Sequence, residues 1–413
     1  MTTTIKHYDK IGCRCCGNEH LLTYLDLGKQ PLANSYIKDP DVICPTLPLK
    51  VNLCLSCFHS QLTVVVNPDE MFSNYLYVSG TTETFRKHTQ SFAEEISNVM
   101  ISNGKGPSDH TLVLDIACND GTLLENFVLL GSKVRGCDPA KNLKEITQKK
   151  NIDADVEFFT EEVGKQYRDN GLTFDVITAQ NVFAHVDNAY GFLLGIKHCL
   201  KEKGFAVIEF PYAKEMIIHN EFDTIYHEHL SYFLVNSFAT LAKRAGFNIF
   251  KITQTPIHGG SIRFYLSTSF KETEDVGRLI SIEKEQGLLD FHIYQTFATN
   301  AEHSKQEINS LVEVLRKQNR RVVAYGASAK GNTSLNYFNL SLDYTVDDNK
   351  FKQGFYTPGQ HIKIEDPKIL ASEDNPVIIV TAWNFLDEIK KRVSRIVTGP
   401  KSYILYVPDV RMI

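Results

Sequence analysis

The sequence has no excess of basic charge: 44 Lys and Arg stand against 49 Asp and Glu, a net charge of −5 over 413 residues. A protein built to grip nucleic acid or an anionic membrane shows the opposite balance. Long apolar runs are missing too, and none approaches the roughly 18–20 residues that span a bilayer. The start, Met1-Thr2-Thr3-Thr4-Ile5-Lys6, lacks the apolar segment of a secretory signal. The patterns GxGxxG, GxxxxGK[ST] and HExxH are absent, which disfavours a dinucleotide fold of the NAD type, a Walker phosphate loop and a zinc-protease helix. No low-complexity tract is visible. Hydrophobic residues at 43% and charged ones at 23% are ordinary for a packed globular chain. The expectation is a soluble, cytoplasmic protein of two or three domains, with its oligomeric state left open.

Cysteine is what stands out. There are nine, and six of them fall in the first 57 residues. A reducing compartment argues against a disulfide framework and for metal binding. Cys13-x-x-Cys16 and Cys54-x-x-Cys57, separated by 37 residues, can curl two loops around one tetrahedral Zn²⁺. Gly17 suits the tight turn of such a knuckle. Cys15 and Cys44 are spare, with His20 and His59 as substitute ligands. Four thiolates describe a structural rather than a catalytic zinc, and a head of about 65 residues is small enough to need one.

From residue 110 short apolar runs alternate with helical stretches. Residues 111–117, 133–138, 156–159, 174–178 and 205–209 read as strands, and helices are expected near 123–130, 142–150 and 188–200. This is a doubly wound parallel sheet, which binds ligands at the carboxyl ends of its strands. The first strand runs into Asp115-Ile116-Ala117-Cys118-Asn119-Asp120-Gly121, and the second ends at Asp138. An acid there can accept both hydroxyls of a ribose. A loop with acids and without a Walker lysine suits a cationic, phosphate-free nucleoside, S-adenosylmethionine (SAM). Asp120 reads equally as a helix N-cap and Asp138 as a turn residue.

Tyr226-His227-Glu228-His229 gathers four chemical groups into one turn. Histidine titrates near neutrality, and a neighbouring carboxylate can fix its tautomer. A polar surface loop is an equal reading. His185 follows the strand at 174–178 and so lies on the same rim of the sheet. Tyr77 reads as a lid or as part of an apolar junction. Residues 271–319 read as two helices, the second long, with a solvated charged face. A second, smaller Rossmann-like sheet follows, with strands at 321–327, 342–346, 376–381 and 403–407. Gly326-Ala327-Ser328-Ala329-Lys330-Gly331 turns from strand to helix, and backbone N–H groups plus one ammonium there can hold a phosphate; a plain glycine-rich turn is the alternative. Gly259-Gly260-Ser261-x-Arg263 opens another strand, and Trp383 reads as packing.

Taken in order, these motifs resemble the sugar C-methyltransferases that act on nucleotide-linked keto-deoxy-sugars in bacterial antibiotic and surface-glycan pathways. The likeness rests on the two cysteine pairs, Asn119–Leu124, Asn181-Val182-Phe183-Ala184-His185, Tyr226–His229, Gly259–Arg263, Gly326–Thr333, Val346–Asn349 and Lys352-Gln353-Gly354. Two places depart from the usual pattern. Ala117 and Asn119 stand where most SAM methyltransferases carry glycine, and Tyr77-Val78-Ser79-Gly80 follows the family's Tyr-x-Ser segment only loosely.

The resemblance implies a zinc-binding head over residues 1–70, a SAM domain over 71–255 and a Rossmann-like nucleotide-sugar domain over 256–413. It implies C-methylation of a 4-keto-deoxy-sugar at C3 through an enolate. His229 would be the base, with Glu228, Tyr226, His185 and Tyr77 around it. Asp115, Ala117, Asn119, Asp120, Gly121, Asp138 and Asn181 would hold SAM. Lys330, Ser328, Asn332, Arg263 and His227 would hold the nucleotide-diphosphate-linked sugar, and Cys13, Cys16, Cys54 and Cys57 the zinc. The competing expectations are an O- or N-methyltransferase on a similar sugar and a non-catalytic zinc- and nucleotide-binding protein.

Overall fold

The computed structural model describes residues 5–73 and 78–413. Among the described residues a small antiparallel pair, His7–Asp9 with Val64–Val66, accompanies three larger sheets, and the first of these is not closed by its own segment. The head sheet is antiparallel in the order Ser231–Tyr232, Ser60–Leu62, Thr46–Cys54, Leu21–Pro31. Its fourth strand comes from the middle of the chain: Ser231 pairs with Gln61 and Tyr232 with Ser60, and the Leu62 N–H donates to the Leu230 carbonyl at 3.0 Å. The segment just before residue 230 is thereby pinned against the head.

The central sheet has seven strands in the order Asn248–Thr255, Ser261–Ser267, Leu200–Pro211, Phe174–Gln180, Leu112–Ile116, Lys133–Cys137, Ala154–Asp155. Ser261–Ser267 runs antiparallel to both neighbours, and the other pairs are parallel. Phe174–Gln180 is buried on both faces over its first six residues, so apolar and polar positions do not alternate along it. The strand expected at 156–159 is instead the two-residue edge pair Ala154–Asp155. Beyond it Phe159 turns inward, its ring 5.2 Å from Phe192, because burying an aromatic outweighs extending an edge.

The third sheet runs in the order Lys363–Glu365, Tyr344–Val346, Val322–Tyr325, Val377–Val380, Ser402–Leu405, Arg411–Met412, with only the last strand antiparallel. In the central and third sheets the chain starts in the middle and builds outward on both sides. Each therefore has a switch point, where loops part and a crevice opens. In the central sheet that point lies between the loops at 117–121 and 181–185; in the third, between those at 326–328 and 381–383.

The helix Phe291–Lys317 binds the parts together. Its buried residues Tyr294, Phe297, Ala301, Ser304, Ile308, Val312 and Leu315 recur every three or four positions, one face of a helix. Tyr294 stacks edge-on against Tyr24 of the head at 5.1 Å, and Asn309 Nδ2 reaches the Phe338 carbonyl at 2.9 Å. The expected charged face exists, but the opposite face is core. One apolar cluster runs from Leu25 and Val51 of the head through Phe210 to Ile379 of the third sheet.

Candidate active site and metal centre

The four knuckle cysteines converge. All their sulfurs lie within 4.8 Å of one another, with Cys13 3.5 Å from Cys57 and Cys16 3.5 Å from Cys54. Tetrahedral Zn–S bonds of about 2.3 Å place sulfurs about 3.8 Å apart, so the cluster fits the ion. Each knuckle turns back on itself: Gly17 N–H reaches the Cys13 carbonyl and Phe58 N–H the Cys54 carbonyl, with Gly17 and Phe58 at positive φ. Hydrogen bonding from Cys15, Cys54 and Cys57 pulls the Cys13 thiol down, while contact with Cys13 pushes Cys54 up to about 11. Four crowded sulfurs cannot all ionise unaided, and a divalent cation removes that conflict. His59 is not a fifth candidate: its Nε2 lies 3.2 Å from Ser231 Oγ and its ring packs on Phe233. Cys15 is buried beside the cluster, and Cys44 lies 3.9 Å from His361.

The cofactor loop is wound tightly at the switch point of the central sheet. Ala117, Asn119 and Gly121 take φ of 59°, 51° and 77°. The departures from glycine noted in the sequence therefore sit in the left-handed region that glycine favours. Asp138 clamps the loop from the next strand, its Oδ2 accepting from Asn119 N–H at 2.9 Å and its Oδ1 from Ala140 N–H at 2.8 Å. The N-cap of the following helix is Gly121 rather than Asp120; Asp120, one residue ahead, accepts from Thr122 N–H and Oγ1 with Oδ1 and from Gly80 N–H with Oδ2 at 3.2 Å. Asn119 Oδ1 accepts from Ser79 N–H at 2.9 Å, so residues 79–80 form a strap across the loop. Asp115 lies below the loop, buried, accepting from Thr178 Oγ1 at 2.7 Å, and burial pushes its carboxyl up to about 7. Asn181 leaves Oδ1 buried with no hydrogen-bond partner among the described residues. An open acceptor beside a left-handed loop and an acid-lined rim suits a cationic nucleoside. These residues fit SAM.

The turn Tyr226–His229 divides by burial. His227 and Glu228 are buried and face the head; Tyr226 and His229 remain partly accessible. His227 Nε2 lies 3.2 Å from the Pro48 carbonyl, and Glu228 Oε1 accepts from Asn34 Nδ2 at 2.6 Å. His229 Nδ1 lies 2.8 Å from the Thr224 carbonyl. A carbonyl can only accept, so Nδ1 carries the proton and Nε2 keeps its lone pair. Nε2 faces the Tyr226 hydroxyl at 2.7 Å. The group orienting His229 is thus a backbone carbonyl rather than the adjacent carboxylate that the sequence suggests. His185 meets the pair, ring to ring with His229 at 5.0 Å, and Phe72 covers it at 5.5 Å. Burial pushes His185 down to about 4, so it is neutral near pH 7. Tyr77 lies outside the described residues.

The expected sugar-holding residues divide further. Arg263 sits 6% exposed over the Phe92 ring, ion-paired to Glu209 of the neighbouring strand and to Glu95 of the helix Glu83–Ser102. Asn332 donates to the Ala33 carbonyl at 2.5 Å and ties the third sheet to the head. Ser328 caps the helix Ala329–Phe338 by accepting from Gly331 N–H. Lys330 stands apart: its Nζ is buried with no hydrogen-bond partner among the described residues, 4.4 Å over the Trp383 ring. Several groups at this junction are invisible to spacing arguments. Tyr36 donates to the Ala327 carbonyl at 2.6 Å, and Asn34 holds Glu228. Glu221 packs against Gly259, where a Cβ would stand 2.7 Å from Oε2; burial pushes its carboxyl up to about 8. Head, centre and third sheet all meet here.

Three family models match the chain in succession. The "Putative zinc binding domain" covers residues 13–72, the methyltransferase domain 85–252 and the C-methyltransferase C-terminal domain 256–408. The C-methyltransferase NovU of Streptomyces niveus is 29% identical over 409 residues, 97% of this chain and 96% of that protein. Among solved structures, the magnesium protoporphyrin IX methyltransferase of Synechocystis PCC 6803 with bound SAM is 14% identical with a TM-score of 0.33, over 43% of this chain and 78% of its own. A SAM-dependent methyltransferase of Clostridium acetobutylicum is 10% identical with a TM-score of 0.34, over 44% and 92%.

Proposed function

We propose that this chain is a SAM-dependent C-methyltransferase with a zinc-binding head, and that it methylates a nucleotide-diphosphate-linked 4-keto-deoxy-sugar at C3. The setting is cytoplasmic deoxysugar biosynthesis for a surface glycan or a secondary metabolite. The observation that carries this reading is the oriented imidazole: Nδ1 held by the Thr224 carbonyl, Nε2 left as the acceptor and facing the Tyr226 hydroxyl, and the His185 ring beside it. O- and N-methylation act on lone pairs that already exist. Forming a carbon–carbon bond requires a carbanion, and so a base.

His229 Nε2 takes the proton from C3, and the C–H electron pair moves onto the C4 oxygen as an enolate. The Tyr226 hydroxyl, released from Nε2 as the imidazole is protonated, donates to that oxygen, with neutral His185 alongside. SAM supplies an electrophilic methyl on a sulfonium. Asn181, Asn119 and the Asp138 rim hold its nucleoside and amino-acid ends, and residues 79–80 cover it. The Thr224 carbonyl stabilises the imidazolium until the proton is lost. Lys330 and the N-terminus of Ala329–Phe338 receive the diphosphate. What supports this last role is that, among the described residues, Lys330 Nζ is buried with no hydrogen-bond partner, whereas Arg263, Asn332, Ser328 and His227 each make at least one structural hydrogen bond. Glu228 and His227 hold the turn against the head.

The test is mass spectrometry of products from SAM and a panel of nucleotide-linked 4-keto-6-deoxy-sugars. The expected result is one methyl gained on a ring carbon; a methyl located on oxygen or nitrogen by fragmentation or by NMR of the product would refute C-methylation. In D₂O without SAM, the wild-type protein should exchange the hydrogen at C3. His229→Ala should abolish this exchange and lower methyl transfer by about 10²–10⁴-fold. Exchange retained in that variant would move the base to His185 or Glu228.

A further inference from the structure

The base is oriented by Thr224, and Thr224 is held by the third sheet. The turn Phe222–Thr224 belongs to the central part of the chain, but its partners do not. Asp223 is fully buried, and its Oδ2 accepts from Trp383 Nε1 at 2.9 Å and from the Tyr406 hydroxyl at 2.8 Å. Phe222, also fully buried, sits among Tyr337, Phe338 and Tyr406 with ring centroids 5.6, 5.7 and 6.1 Å away. All four rings lie in the third sheet's half of the chain. Tyr406 is held in turn beside the Thr381 carbonyl at 3.3 Å, in the switch-point loop that carries Trp383.

A three-residue turn clamped on its apolar and its polar side has little freedom, and its last carbonyl, that of Thr224, is the acceptor for His229 Nδ1. We propose that Trp383 and Tyr406 are positioning residues for His229: by fixing Asp223 they set the Thr224 carbonyl and hold the base in its Nδ1-protonated form. The third sheet thus takes part in the proton transfer as well as in holding the sugar nucleotide. Around Asp223 the other titratable groups are Lys330, stacked on Trp383, and Glu221; around His229 they are Tyr226 and His185. None of these supplies the Nδ1 acceptor. Trp383, which the sequence suggests is packing, has this second task because its indole N–H finds a buried carboxylate.

The inference rests on the reading of His229 as base, and the experiment separates the two. Full-length, zinc-loaded protein with ¹⁵N-labelled histidine is compared with Trp383→Phe, Tyr406→Phe and the double variant, the His229 signals being assigned by their loss in His229→Asn. The wild type should show His229 protonated at Nδ1. The double variant should show a mixture of tautomers, a kcat about tenfold to hundredfold lower on the panel sugar that turns over, and a displaced acid limb of the kcat–pH profile. Its KM for SAM should stay within about twofold, which a general loss of folding would not allow. Trp383→Phe alone, keeping an aromatic ring and losing one donor, should show the same changes at smaller amplitude. Wild-type tautomer and pH profile in the double variant would overturn the proposal. A shifted tautomer combined with C3 exchange retained in His229→Ala would uphold the positioning and overturn the base assignment.

Discussion

Ala117 and Asn119 carry side chains where the backbone turns left-handed. Asparagine tolerates that region through its short polar side chain; alanine is held there against a penalty of about 1–2 kcal/mol. Ala117→Gly should therefore leave the urea midpoint unchanged or raise it slightly, the strain relieved being offset by glycine's greater chain entropy. Ala117→Val should lower stability by about 2 kcal/mol or more and raise the KM for SAM, since a β-branched residue is poorly accommodated there. Equilibrium urea unfolding and initial-rate kinetics check both. His227 invites a pH experiment. Burial pushes it from about 6.5 to about 4 in the folded protein, so the unfolded chain binds the extra proton between those values. The contribution of neutral His227 is fully present above about pH 6.5 and is lost as pH falls toward 4. The urea midpoint of the wild type should thus fall relative to that of His227→Gln across this window, and parallel curves would show that the ring stays solvated.

Among elements, the two cysteine knuckles and the cofactor loop were legible because their function depends on local spacing. Two residues between thiolates, or an acid at a strand end, mean the same thing in any fold. The turn at Tyr226–His229 was legible as a cluster but not in its division of labour. Adjacency in the chain made Glu228 the natural partner of His229, whereas its carboxylate reaches Asn34, 194 residues away, and His227 reaches Pro48, 179 residues away. Arg263, expected to face the sugar, is engaged for a related reason: the neighbouring strand Leu200–Pro211 supplies Glu209, and this ion pair leaves its guanidinium buried. Thr224 escaped notice because its contribution is a carbonyl, and every residue has one. The head sheet supplies a prediction of its own. Cys54→Ser, or a strong chelator, should lower zinc content, thermal midpoint and methyl transfer together. The metal stabilises a sheet whose last strand directly follows His229. Metal analysis, a melting curve and an activity assay on one sample test this coupling, and full activity in zinc-free protein would break it.

At the scale of the whole molecule, both parallel sheets present their switch points to one junction, and the head closes the third side. Their shared apolar cluster and the helix Phe291–Lys317 fix the three parts as one body. This joining was hidden in the sequence, where the long helix reads as a charged connector. Its apolar face is spaced like that of any amphipathic helix, and nothing local says that Tyr24 lies beside its first turn and Phe338 beside Asn309. Two Rossmann-like halves could be recognised separately; that one orients a histidine in the other could not.

The borrowed strand also imposes an order on the chain's assembly. Leaving a ribosome from the N-terminus, residues 5–66 can gather their four thiolates around a metal ion as soon as they emerge. Ser60–Leu62 nevertheless stays an unpaired edge until Tyr232 has been synthesised, some 170 residues later. Through that interval an open strand is available to pair with the wrong chain, and only a compact metal-bound core limits its exposure. The zinc acts first as a custodian of an unfinished sheet in the nascent chain.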